Sequence, residues 1–132
     1  MTSMRREELS NLGWLKKETE LQEEKLEELK AKAEGLRQVF SHAPAKKGAR
    51  DKMGDYAAEI ADLRTMIEKS RKEYYREAVR LEKFIESIPD SEMRMVFRLR
   101  HQEGYSWMKI GEKMGYDGST VRKKYGRFLR DM

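Results

Sequence analysis

Near the C-terminus, Arg122, Lys123, Lys124, Arg127 and Arg130 follow one another with no acidic residue between them. On a helix, that run makes a basic face. Lys and Arg neutralise phosphates, and Arg can also read guanine through two parallel hydrogen bonds. Ser119 and Thr120 stand just ahead of the run, and small hydroxyls at a helix start can approach phosphates and base edges. The candidate DNA-binding residues are therefore Ser119, Thr120, Arg122, Lys123, Lys124, Arg127 and Arg130. Gly126 interrupts them at a cost of about 1 kcal/mol of helix propensity. Close approach to another backbone or a flexible helix end would each explain it.

Positioning such a face requires a frame, and the preceding residues supply one. Asp117 can cap the basic helix, whose Val121, Tyr125, Phe128 and Leu129 face inward. Upstream, Ser106 can cap a short helix with Trp107, Ile110, Gly111 and Met114 on its buried side. Gly111 is small where two helices must cross closely, and Gly115 permits the positive φ of a tight turn. A short helix, a glycine turn and a basic helix form the helix-turn-helix pattern. A third amphipathic helix, from Ser91 to His101, is expected to pack behind it through Met93, Val96, Phe97 and the aliphatic stem of Arg100. Gly104 follows at a C-capping position, and Pro89 with Asp90 or Ser91 marks where the helix begins.

The rest of the chain reads as two heptad seams. Leu12, Thr19, Leu26, Ala33 and Phe40 recur seven apart, interleaved with Leu15, Gln22, Leu29 and Leu36. A second seam runs through Tyr56, Ile60, Leu63, Ile67, Ser70, Tyr74, Glu77, Leu81, Phe84 and Ile88. Between them, residues 41–52 carry Pro44, Gly48 and several basic residues, and read as a mobile basic loop. Two helices joined by so short a loop fold back as an antiparallel hairpin. A two-helix hairpin has little core of its own, so its remaining apolar edge is expected to meet the C-terminal helices or a second copy of the chain. The expected fold is all-α: a long antiparallel coiled-coil hairpin over residues 1–88, followed by a three-helix helix-turn-helix module over 89–132.

Composition agrees with that layout. Charged residues make up 40% of the chain and hydrophobic residues 38%, so the core is lean and the surface heavily solvated. The formal charge is +5, and most of it falls in residues 89–132, where ten basic residues face six acidic ones. With no cysteine, neither disulfides nor thiolate metal sites are available. No apolar run approaches the roughly 20 residues that cross a bilayer, and the first residues lack the apolar stretch of a secretory signal. A cytoplasmic, membrane-free protein is the expectation.

Catalysis has no visible basis. His42 falls in the expected loop, and His101 at a helix end where it can favour the helix dipole. There is no Ser-His-acid set, no His-Glu-x-x-His and no phosphate-binding Gly-Lys-Ser/Thr. Neither an enzyme nor a cofactor nor a metal is expected.

At Trp107, Ile110, Gly111, Met114-Gly115 and Thr120-Val121-Arg122-Lys123-Lys124 the chain resembles region 4 of bacterial sigma factors, over roughly Pro89 onward. The whole layout is similar to a family of small phage and prophage proteins from Gram-positive bacteria. In that family a coiled-coil segment, with a loop ending like Asp51-Lys52-Met53-Gly54-Asp55, precedes a sigma-region-4-like end. The resemblance implies a late-gene transcriptional regulator that binds double-stranded DNA, with RNA polymerase as a second partner. No counterpart of the sigma segment that melts promoter DNA is present, so a complete sigma factor is not expected. The pairing implied by the hairpin is a homo-oligomer, most simply a dimer. The alternative is an oligomeric DNA-packaging adaptor or a structural coiled-coil protein.

Overall fold

A computed structural model describes residues 4–42 and 47–132. They form α1 (Arg6–Phe40), α2 (Lys47–Ser87), α3 (Ser91–Phe97), α4 (Trp107–Met114) and α5 (Gly118–Arg130), with a π-helical segment, Arg98–Gln102, continuing α3. No strand occurs among the described residues, and the protein is all-α. Two compact units are present: Leu15–Tyr74, and the N-terminal residues to Trp14 together with Tyr75–Met132.

The Leu15–Tyr74 unit is the two-helix part of the hairpin. Leu15, Thr19, Leu29 and Ile67 are buried along the heptad seams, and Leu26, Leu36, Tyr56, Ile60 and Leu63 are half-buried beside them. The polar seam residues are treated differently from one another. The Thr19 hydroxyl donates to the Leu15 carbonyl at 2.8 Å, whereas the buried Gln22 Oε1 accepts no hydrogen bond from the described residues. A polar seam residue costs stability but restricts register. Arg71 donates to Glu23 Oε1 across the two helices at 2.8 Å, in an exposed pair of small energetic weight.

Helix α2 begins at Lys47, so Lys47–Lys52 is helical and is not part of the basic loop expected over 41–52. Ala, Lys, Arg and Met around Gly48 favour helix, and its cost of about 1 kcal/mol is absorbed by a long packed helix. Ser41 and His42 form a turn, and Pro44 lies outside the described residues.

The second unit holds most of the fully buried side chains. Leu9 and Leu12 of α1, Leu81, Phe84 and Ile85 of α2, Val96 and Phe97 of α3, Ile110 of α4 and Val121 of α5 share this core. The expected edge-to-module packing is therefore found within one compact unit. Asp90 caps α3 by accepting from the Glu92 amide at 3.1 Å, and Ile88 is buried just ahead of Pro89. Glu8 of α1 pairs with Arg80 of α2 in the same unit.

Two glycines set how closely α4 meets the start of α5. A Cβ on Gly111 would lie 2.6 Å from the Tyr116 carbonyl oxygen and 2.8 Å from the Gly118 nitrogen. A Cβ on Gly118 would lie 2.8 Å from the Trp107 carbonyl oxygen. Backbone atoms cannot swing aside, so both positions exclude a side chain. Gly126 differs, with nothing within 4 Å of its Cβ position. Gly111→Ala is expected to lower stability by about 1–3 kcal/mol through overpacking. Gly126→Ala should raise it by up to about 1 kcal/mol through helix propensity. Urea midpoints of both variants check the pair, and an unchanged midpoint for Gly111→Ala would contradict the close contact.

Candidate nucleic-acid interface

Local chemistry fixes the approach of α4 to α5. Ser106, extended at φ −66° and ψ 159°, accepts from the Lys109 amide at 3.2 Å and starts α4. Gly115 ends it in the left-handed region at φ 78°, with the Tyr116 amide donating back to the Gly111 carbonyl at 2.9 Å. Asp117 stands at the N-cap of α5 with extended backbone, but its carboxylate makes no capping bond to the helix. It accepts instead from the Ser119 hydroxyl at 2.9 Å, so the expected cap is backbone geometry without the side-chain bond.

The basic face of α5 forms one wall of an open groove of about 660 Å³ within the second unit. From α5 come Arg122, Lys123, Gly126, Arg127 and Arg130, with Tyr125 at the back. The opposite wall is Arg100 and His101 of the π segment with Trp107, and Arg6 and Ser10 of α1 close the end. Six cations line this concavity and no carboxylate does. Among the described residues no ion pair ties up Arg6, Arg122, Lys123, Arg127 or Arg130. Like charges gathered on a concave, low-dielectric surface focus a positive potential outward.

Arg100 is held in place. Its guanidinium lies over the Trp107 ring at 4.3 Å and donates to the Tyr105 carbonyl at 3.0 Å. The π segment makes this possible. Its wider turn, closed by the Glu103 amide on the Arg98 carbonyl, places Arg100 and His101 in the groove wall. The α-helix expected to run to His101 therefore changes character after Phe97, at a break that apolar periodicity does not reveal.

Behind the groove, Phe97 is fully buried, with Phe84, His101, Tyr125 and Phe128 rings at 5.1–5.6 Å. His101 Nε2 and the Tyr125 hydroxyl share a hydrogen bond of 2.7 Å. Burial, with a smaller push from Arg100, depresses the His101 pKa to about 4. Burial likewise raises that of Tyr125 to about 12. His101 is thus neutral at physiological pH and does not act as the cation at a helix end expected from its position. Its role is packing.

The seven candidate residues do not all share the groove. Arg122, Lys123, Arg127 and Arg130 line it and are exposed. Ser119 and Thr120 lie in the first turn of α5 outside its lining, Ser119 bonded to Asp117. Lys124 is turned to another face of α5. Its ammonium bonds Glu92 of α3 at 3.0 Å and sits 4.1 Å from the centre of the Tyr116 ring. Tyr116 donates to the same Glu92 carboxylate, and Lys124 and Tyr116 together lower its pKa. Arg98 and Gln102 make a parallel tie to Glu82 of α2, and their hydrogen bonds lower its pKa too.

Arg6, Ser10, Arg100 and Trp107 were not singled out as interface residues by sequence. Arg6 and Ser10 are one helical turn apart, a spacing that was available, but nothing local connects them to a helix more than a hundred residues later. No group of three His, Cys, Asp or Glu able to hold a metal occurs among the described residues. No helix there is long and apolar enough to cross a membrane. No family model, curated protein or solved structure matches the chain. The functional reading accordingly rests on the groove.

The depressed His101 pKa has a definite sign. Between about pH 6.5 and 4 the unfolded chain binds a proton that the folded chain refuses, so stability falls as pH drops through that window. The loss from pH 7 to 5 is expected to be about 1–2 kcal/mol. His101→Gln, which retains hydrogen-bonding capacity but does not titrate, should remove most of it. Urea midpoints at both pH values measure the difference, and an equally steep loss in the variant would refute the assignment.

Proposed function

We propose that the chain is a DNA-binding protein of the helix-turn-helix type, with α4 and α5 as its two helices and α5 entering the major groove of a duplex. The observation that carries this reading is the acid-free basic groove along α5, beside a turn whose glycines permit close contact with α4. Major-groove dimensions admit one helix, and phosphates flank it on both sides. Exposed Arg122, Lys123, Arg127 and Arg130 are placed to neutralise them. Ser119 and Thr120, at the start of α5, face base edges or phosphates in this arrangement. Lys124 supports α5 through Glu92 and contributes less to the ligand.

The biological role within this reading is a phage-type transcriptional regulator resembling region 4 of sigma factors, active in the cytoplasm, with RNA polymerase as a further partner. A dimer made through the hairpin would present two copies of α5 to one DNA site. Exposed Leu21, which lines an open hollow on the hairpin with half-buried Leu63, supports a partner there.

Fluorescence anisotropy with a labelled 24-bp mixed-sequence duplex tests the reading. Each phosphate contact contributes about 0.9 to the slope of log K against log salt. Arg122→Ala/Lys123→Ala is therefore expected to flatten that slope by up to about 2 and to weaken binding at least tenfold near 0.1 M salt. The saturation point should correspond to a dimer per duplex. Unchanged binding in the double variant would place the interface elsewhere, and saturation by a large ring would favour the packaging-adaptor alternative.

A further inference from the structure

The groove has a wall that does not belong to the helix-turn-helix. Arg6 and Ser10 stand four residues apart on α1, so their side chains share one helix face, and that face lines the groove together with exposed residues of α5. Both are exposed, and the Arg6 guanidinium has no acidic partner among the described residues. Its neighbour Arg5 does have one, Glu8, at 3.2 Å, and does not line the groove. Arg100, fixed on Trp107, lines the same groove.

The floor between the walls is bare. Gly126 sits in the third turn of α5 with nothing within 4 Å of its Cβ position, so packing does not demand glycine there. A glycine within a helix costs about 1 kcal/mol. Its effect is to leave the channel clear between Arg122 and Arg130, where any longer side chain would project into it. Cations on both sides, a hydroxyl donor at the end and an unobstructed floor suit a phosphodiester chain running past α5. No Asn or Gln to read adenine and no carboxylate to read cytosine lines the groove, so any base contact there falls to Arg on guanine.

We infer that the first turns of α1 are part of the DNA interface: Arg6 and Ser10, with Arg100, hold the sugar-phosphate backbone of one strand in the groove beside α5. The inference rests on the helix-turn-helix reading and adds to it a sequence-independent clamp drawn from the hairpin. Affinity then depends on α1 as well as α5, while base preference depends on α5 alone.

The test uses the full chain and the same labelled 24-bp duplex, titrated between 50 and 200 mM salt. Arg6→Ala is expected to lower the log–log slope by about 0.9 and to weaken binding about five- to tenfold near 0.1 M salt, the effect of releasing one counterion fewer. Arg6→Lys should keep the slope, which a packing defect at the helix start would not allow. Arg5→Ala should behave as the unaltered protein. If Arg6→Ala binds normally while Arg122→Ala/Lys123→Ala does not, the clamp is wrong and the helix-turn-helix reading stands. An equal loss in Arg5→Ala overturns the clamp in favour of diffuse charge. If the unaltered protein ignores the duplex and binds a single-stranded RNA of the same length, both readings fall.

Discussion

Phe97 has no exposed surface, and the rings around it come from several elements: Phe84 from α2, His101 from the π segment, Tyr125 and Phe128 from α5. Burying an aromatic ring of this size contributes roughly 2–3 kcal/mol, with further gain from edge-on ring pairs. More important is what the cluster connects. It fixes α5 against the end of α2, and the hydrogen bond shared by His101 and Tyr125 joins the π segment to α5 where both residues line the groove. The glycine contacts between α4 and the start of α5 then fix the other end of that helix. A basic helix held at both ends by packing can leave most of its charges unpaired.

Charge is divided along α5 accordingly. Lys124 is spent on Glu92 and Tyr116, a partly exposed tie that orients α5 on α3 more than it stabilises it. Arg122, Lys123, Arg127 and Arg130 are left exposed in the groove that Arg6 and Arg100 also line. Unpaired like charges on one surface carry a repulsive cost, which an anionic ligand would remove. That cost, retained in a protein with ample acidic residues elsewhere on α1, is the strongest physical argument for a polyanionic partner.

Much of this was legible in the sequence where the signal is local. The heptad residues marked the seams, Ser106 the cap of α4, Asp90 or Ser91 the start of α3, and Gly115 the left-handed turn, because each depends only on neighbours within a turn or two. Gly111 was recognised as a close-contact residue, whereas Gly118 was not, since its constraint comes from the Trp107 carbonyl eleven residues earlier. The π segment has no periodic signature, so the placement of Arg100 and His101 could not be read. Arg6 looked like one charge among many on a solvated helix. Its meaning comes from tertiary packing, as does the diversion of Lys124 away from the other basic residues.

The most direct measurement is the change in backbone amide NMR shifts when the 24-bp duplex is added to the isotope-labelled chain. Binding through the groove predicts the largest changes across Ser119–Arg130 and beside Arg6, with little change along the acidic Glu20–Glu28 stretch of α1. Shifts confined to the hairpin, or none on adding duplex, would contradict it.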